Sequence, residues 1–523
     1  MSDVLPFLDL LVVLVPLLPL LAAFWIGLGF IFDWNRGESG ERETARSAVW
    51  AASVSLLLLL CLDVYSLVQG APGTLQVSRW LESGSVQAGI SFLLDPLSLS
   101  VATCFSLVIL LTTRFSVNYL HREAGFQRFF MVLSLFNTAM MLIVLSGNAM
   151  LAFIGWELAG VSSYLLISYA WHRDVATENA TRAFVTNRIG DAGFILALFT
   201  ALVFWGSCEW EAMFVQAEQE TGITSGVVIM GLMLAALVKS AQFPFSAWIT
   251  RALEGPTPSS AVFYGSVMVH AGIYLLLRSA PLLEGLPLLG WMLLLTGVLT
   301  VVYSWMVAQV QTDIKSSLIF ATLMQTGLML VEIALGWYTL AIVHLILHAI
   351  WRAYQFLHSP SFMQQTHAPA PPAPAWLQQN AWLHNASLQR FWLDPLADWL
   401  LLRPTRLLAH EAQLFDEQVV DRLTGTPSHA NMLSTLAQMQ ALQRGKLRLE
   451  SEVGVGSGFF GKLMQRLAEI LEWFEEKLVL KSSSEGLVGL AGVLGVRAEL
   501  VEGYLRQPRY MLVLIAATLV VVL

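Results

Sequence analysis

Two lysines stand where an apolar run should exclude them. Lys239 lies inside GLMLAALVKSAQFPFSAW, and Lys315 opens IKSSLIFATLMQTGLML. The other four of the chain's six lysines fall in its polar C-terminal third. A lysine deep in a membrane span costs roughly 3 kcal/mol or more, so it is rare and usually functional. Its proton affinity also responds readily to desolvation. The pair points to a proton held and released inside a bilayer. Glu157, in FIGWELAGVSSYLL, is a carboxylate that must stay neutral or find a cation. Arg188 and Asp191, in NRIGDAGF, have the i,i+3 spacing that lets them neutralise each other. Tyr264 and His270 lie in GPTPSSAVFYGSVMVHAGIY, and Asp313 precedes Lys315. His344, His348 and Arg352 follow at four-residue intervals and share one helix face. Simpler roles compete with the proton-handling one. Arg188, Asp313 and Arg352 could be anchors near helix ends, Asp191 structural glue, and a single histidine mere packing. Glu157 and Lys239 lie well inside their segments, where those roles fit least. No HExxH, phosphate loop or nucleophile elbow occurs, so no metal, cofactor or catalytic residue is expected in this chain.

The elements that must position these groups are membrane helices. Of 523 residues, 56% are hydrophobic and 13% charged, against about 25% charged in soluble proteins. Apolar segments recur at about the 20 residues a spanning helix needs. The alternating ten-residue strands of a membrane barrel are absent. The expected class is an all-α polytopic membrane protein of about twelve spans, at 5–32, 46–68, 92–113, 127–146, 148–171, 181–206, 225–249, 257–280, 286–309, 316–335, 337–358 and 508–523. Pro244 should break the seventh span. The apolar start has Asp3 and no preceding basic residue, so it reads as a first span rather than a signal peptide. Cys61, Cys104 and Cys208 show no metal or disulfide spacing.

Loops after odd-numbered spans hold Arg36, Arg42, Arg46, Arg114, Arg122, Arg128, Arg173, Arg182, Arg251 and Lys315; loops after even-numbered spans hold only Arg79 and Arg278. The positive-inside rule puts the odd loops in the cytoplasm and the N-terminus outside. Four regions follow: N-terminal spans 1–91, a core 92–360, a cytoplasmic segment 361–507 and a last span 508–523. The third opens with the linker HAPAPPAPAW and has helical patterns at 388–412, 414–424 and 459–481. The last pattern is amphipathic, suited to a membrane surface or a docked partner.

GWELAGVSSYLLI, TRAFVTNRIGDAGF, VKSAQFPFSAWITRALEGPTPSSA, VQTDIKSSLIFATLMQTGLM and HLILHAIWRAYQFL resemble, in order and spacing, the antiporter-like membrane subunits. These are the L subunit of respiratory complex I and the A subunit of multi-subunit Na+/H+ antiporters. The resemblance covers about residues 90–360. It implies inverted five-helix repeats with a broken seventh helix, and a Glu157–Lys239 pair whose separation drives a proton onward. It further implies a path through Lys315, His344 and His348, with Asp191 as the sixth-span aspartate. Tyr264 stands where the family has a histidine, with His270 six residues on. Arg352 replaces a lysine, and the second repeat is read as truncated.

Shortened relatives with this pattern include the membrane subunit of the DAB-type inorganic-carbon transporter. That likeness implies protons as the driving species, a bacterial inner membrane and no nucleic acid. It also implies a large zinc-containing, carbonic-anhydrase-like partner on 361–507, with the zinc in that partner. Two alternatives remain: a proton-pumping or antiporter subunit of a complex I-like quinone oxidoreductase or hydrogenase, and a non-conducting anchor.

Overall fold

The computed structural model describes residues 5–32, 34, 37–83, 86–219, 222–365, 372–416, 420, 466, 467 and 469–471. The chain divides into two compact units, residues 1–405 and 406–523. The first unit holds the membrane core and everything described below up to residue 405.

Among the described residues, ten helices are long and apolar enough to cross a membrane, and the chain is a multi-pass membrane protein. The first six of these build on α1 (Leu5–Ile31), α2 (Gly37–Gln69), α3 (Pro96–Tyr119), α4 (Phe126–Leu145), α5 (Ala149–Ile167) and α6 (Asp174–Thr200). A short α7 (Trp210–Gln219) precedes α8 (Ile223–Lys239), and α9 (Ala247–Arg251) follows a break. The next span is α10 (Thr257–Ser260), a π-helical turn at Ala261–Ser266, and α11 (Met268–Arg278). After α12 (Ala280–Leu283) come α13 (Pro287–Ala308), α14 (Ile314–Ala334) and α15 (Tyr338–Gln365). The span 257–278 is wholly buried inside the protein, whereas only a third of α13's most apolar stretch is. The former is therefore the axis around which the others pack, and α13 lies on the outside of the bundle.

Eleven of the twelve expected spans fall on these elements, with α8 too short to cross unaided; the twelfth, 508–523, lies outside the described residues. Two features depart from expectation. Residues 73–83 and 86–94 form an antiparallel hairpin, β1 (Gly73–Ser83) and β2 (Val86–Leu94), so the third span begins at Pro96 rather than at 92. Asp95 caps it: its Oδ1 accepts from Ser98 N at 2.8 Å, and Asp95 N donates to Ser98 Oγ at 3.0 Å, the reciprocal capping box. The second departure is Val267, whose φ of −119° interrupts the eighth span just before His270. The seventh span breaks earlier than its proline. Helix α8 stops at Lys239, Ala241 turns left-handed (φ 53°), and Phe243–Pro244 is cis.

Loops sort to two ends. At one, Glu38 pairs with Arg122 at 2.6 Å, Glu41 with His121 at 3.0 Å, and Arg173 with Glu254 at 3.2 Å. At the other, Arg278 clamps both Asp95 oxygens at 2.6 and 2.9 Å. Burial alone would raise the Asp95 pKa, but these bonds outweigh it and hold the carboxyl below its ordinary range. Residues 375–402 also belong to the first unit. They include α16 (Ala375–Gln379), α17 (Ala381–Leu388) and α18 (Leu393–Ala397). The helix expected at 388–412 is interrupted there, because Arg390, Phe391 and Trp392 are all left-handed (φ 51°, 53° and 55°). It resumes as α19 (Arg403–Phe415). Most of the expected segments 414–424 and 459–481 lies outside the described residues.

Candidate functional site: a chain of buried ionisable groups

Small residues bring the site's helices together. A Cβ on Gly193 of α6 would lie 2.8 Å from the Gly231 carbonyl of α8, and Gly231 faces the Gly193 carbonyl in return. Close backbone approach of this kind is how membrane helices pack. It sets Arg188 and Asp191 of α6 against Lys239, the last residue of α8. The C-terminal end of a helix favours a cation.

Lys239 is 1% exposed. Its Nζ donates to the Trp156 carbonyl at 3.1 Å and lies 4.7 Å from the centre of the Trp156 ring, a cation–π contact. The Trp156 indole N–H donates to Asp191 Oδ1 at 2.9 Å. Arg188 donates to Glu157 and contacts Asp191 Oδ2 at 2.7 Å. The direct Glu157–Lys239 pair is therefore not formed. An arginine fork reaches two carboxylates at once, and here it takes Glu157, leaving Glu157 Oε1 without a hydrogen bond. Two acids and two bases make the cluster neutral when all are ionised. Gly160 leaves the space where Arg188 and Lys239 converge; a Cβ there would stand 3.2 and 3.6 Å from their nitrogens.

The break after Lys239 leaves few loose ends. Gln242 N donates to the Leu237 carbonyl at 2.8 Å, Phe243 N to Thr300 Oγ1 at 3.0 Å, and Gln242 Nε2 to Thr326 Oγ1 at 3.0 Å. Irregular backbone at membrane depth needs such partners. Ser240 Oγ donates to the Val269 carbonyl at 2.6 Å, which ties the Lys239 end of α8 to the residue beside His270.

His270 Nε2 lies 2.9 Å from His348 Nδ1, and Arg352 donates to His348 Nε2 at 3.3 Å. That bond makes His348 Nε2 the acceptor, so a neutral His348 carries its hydrogen on Nδ1 and donates it to His270. His270 must then carry its own hydrogen on Nδ1, which is buried with no hydrogen-bond partner. The His344 ring centre lies 6.1 Å from that of His348. His344 Nδ1 meets Glu332 Oε1, and Nε2 meets Gln325 Oε1, each at 2.9 Å. Lys315 stands apart: its Nζ donates to Thr257 Oγ1 at 2.7 Å, and Tyr119 OH joins Thr257 at 3.0 Å. Asp313 is a helix cap, accepting from Ser316 N at 2.8 Å. Tyr264 packs edge-on to Trp248 with its hydroxyl unpartnered. Pro244 belongs to the break and touches none of the ionisable groups by hydrogen bond.

The structure thus gathers Glu157, Arg188, Asp191 and Lys239 in one cluster, His270, His348 and Arg352 in a second, and His344 beside it. Trp156, Gly160, Gln325 and Glu332 complete these clusters, Thr257 holds the separate Lys315, and none of the five was picked out from sequence. Glu332 had a visible signal: it is an acid inside the apolar run LMLVEIALG, one short turn before the histidine helix.

Residues 80–130 match the model of the complex I chain 5 N-terminus, and residues 146–373 that of the NADH:quinone oxidoreductase/Mrp antiporter membrane domain. Chloroplast NAD(P)H-quinone oxidoreductase subunit 5 of Mesostigma viride is 32% identical over 354 residues, which is 66% of this chain and 54% of that protein. The Hordeum vulgare counterpart is 35% identical over 353 residues, 66% of this chain and 48% of that protein. The chain spans about half the length of the curated relatives it matches. The Mrp complex of Dietzia sp. DQ12-45-1b has a chain of similar fold, with a TM-score of 0.60 and 25% identity, over 68% of this chain and 38% of that one. A chain of the archaeal membrane-bound sulfane sulfur reductase shares the fold at a TM-score of 0.56 and 22% identity, over 66% of this chain and 70% of that one. The broken helix, the buried lysine and these likenesses agree: the chain carries the membrane domains of complex I chain 5 and of the NADH:quinone oxidoreductase/Mrp antiporter family at residues 80–130 and 146–373.

Proposed function

We propose that this chain is a proton-conducting membrane subunit that couples the proton-motive force to a cytoplasmic partner, energising CO2 or bicarbonate uptake. The observation that carries the conduction reading is the bonding of Lys239. Its ammonium rests on a carbonyl and an aromatic face, while the neighbouring carboxylates are engaged by Arg188 and Trp156. A lysine held by neutral groups can lose its proton without breaking a salt bridge. If Arg188 releases Glu157, the carboxylate is free to attract the Lys239 proton again. Two arrangements of the same four charges then hold the proton with different strength.

The choice of cargo rests on the sequence likeness to the DAB-type subunit. In that reading residues 361–507 face the bacterial cytoplasm and carry a large zinc-containing, carbonic-anhydrase-like partner. The zinc and hydration chemistry reside there. A redox-linked pump or cation/proton antiporter is the second reading, and the likeness to quinone oxidoreductase and Mrp subunits favours it.

Lys239→Ala is expected to abolish energised uptake in cells while the complex still assembles and purifies. Uptake at the wild-type rate would end the role given to Lys239. Purifying the complex through this chain separates the two readings: a zinc protein favours carbon uptake, Fe–S and quinone-site subunits the redox pump. A third reading, a membrane anchor, requires that Glu157 and Lys239 together tolerate apolar replacement.

A further inference from the structure

We propose that Glu332, His344 and Gln325 form a proton-loading site at the end of α14 remote from Lys315, through which the histidine pair exchanges protons with that side of the membrane. Its use in transport rests on the conducting role proposed above; the shared proton itself does not.

Glu332 sits in the last turn of α14, where the helix's own carbonyls disfavour a carboxylate. Its side chain is 14% exposed, and Oε2 has no hydrogen-bond partner. An acid in so poor a place needs a compensating partner, and His344 Nδ1 supplies it at 2.9 Å. The other ring nitrogen faces an oxygen too, Gln325 Oε1, at 2.9 Å. A neutral imidazole has one N–H and one lone pair. With an oxygen against Nε2, that nitrogen carries hydrogen. A further proton must then lie between Nδ1 and Glu332 Oε1, on one or the other. Without it, a lone pair would face a carboxylate oxygen.

Turning the Gln325 amide through half a rotation gives the other self-consistent arrangement. Its NH2 then donates to a bare Nε2, Nδ1–H donates to an ionised Glu332, and the site holds one proton fewer. The two arrangements differ by one proton and one amide turn. Protons balance over both steps: unloading releases the Nε2 hydrogen and leaves one on Nδ1 against an ionised Glu332, and reloading adds one proton at Glu332 while the imidazole hydrogen returns from Nδ1 to Nε2. His348 is next along the helix, its ring edge-on to that of His344 with centres 6.1 Å apart, the spacing of rings in direct contact. Both His348 nitrogens are already engaged, by Arg352 and by His270. The onward proton therefore enters at the His348 Nε2 lone pair and displaces the Arg352 bond; the Nδ1 hydrogen then passes to His270 Nε2, and His270 gives up its spare Nδ1–H.

The test uses the native complex in sealed vesicles, with proton flux and infrared difference spectra recorded on the same samples. Glu332→Gln keeps the shape and a hydrogen bond but cannot ionise, so flux should fall about tenfold or more. Glu332→Asp should recover part of it. Gln325→Met, which removes the amide, should also lower flux. The wild-type spectrum should contain a protonation signal, either a carboxylic C=O stretch or an imidazolium ring mode, that Glu332→Gln lacks. Wild-type flux in Glu332→Gln, under conditions where Lys239→Ala is silent, overturns the proposal. If even the wild type conducts no protons, the transport reading fails and the spectrum decides alone. A signal lost in Glu332→Gln then upholds the shared proton, and identical spectra overturn it.

Discussion

Trp156 joins Lys239 to the acids of the charged cluster. Its carbonyl and ring receive Lys239, and its indole N–H receives Asp191. One residue thus fixes the spacing between a base and an acid that carry no direct bond to each other. Trp156→Phe separates these duties. The backbone carbonyl and an aromatic face remain, but Asp191 Oδ1 loses its donor inside the protein. A buried acceptor stripped of its partner costs about 1–3 kcal/mol, and the smaller ring adds a cavity. The expected outcome is a lower midpoint of thermal inactivation and slower proton flux in vesicles, with Lys239 unaltered. An unchanged midpoint would mean that the indole bond does not hold Asp191. Sequence alone could not single out this tryptophan, because nothing in GWELAG distinguishes a scaffold ring from an ordinary packing one. Lys239 and Glu157 were legible because a charge in an apolar run is conspicuous. Their bonding was not, because Arg188 three residues from Asp191 was free to choose between two carboxylates.

The helices α6 and α8 carry these groups, and their separation sets the geometry. Gly193 and Gly231 face each other's carbonyls, so any side chain at either position must push the helices apart. Gly231→Ala should destabilise by about 1–3 kcal/mol through overpacking and widen the gap between Arg188 and Lys239. A Cβ on Gly226, on the same helix, would meet no atom within 4 Å, and alanine there should be neutral or stabilising by about 0.5–1 kcal/mol. Thermal inactivation of the two variants side by side checks this; equal effects would remove the packing argument. The long helices were readable from apolar length, and the seventh-span break from Pro244. The break's position was not, since a left-handed Ala241 ends α8 before the proline is reached. The β hairpin was hidden because its second strand runs straight into the apolar start of α3. The π-helical turn before His270 leaves no mark that separates it from continuous helix.

Across the whole molecule, the charged groups at the Arg251 end are tied to the segment 375–402. Asp394 accepts from Arg251 at 3.0 Å and from Arg390 at 3.2 Å, and Asp398 pairs with Arg182 at 2.8 Å. Arg390 also donates to Thr250 Oγ1 at 2.8 Å. Arg182 and Arg188 share α6, about 9 Å apart along its axis, so the segment grips the helix that holds Asp191 and, through Arg188, Glu157. Three consecutive left-handed residues, Arg390, Phe391 and Trp392, each cost about 1–2 kcal/mol relative to ordinary backbone. That conformation persists only while its surroundings hold it, and Asp394 is the group that meets both arginines. Asp394→Ala should release the segment while leaving the membrane helices packed. Amide exchange in peptides from 375–402 should then speed up by about tenfold or more, a local loss of about 1.4 kcal/mol. Peptides from α4 and α5 should exchange as before. Unchanged exchange in 375–402 would show that other contacts hold the bent segment without Asp394, and the link from this end of the molecule to α6 would then rest on Asp398 and Arg182 alone.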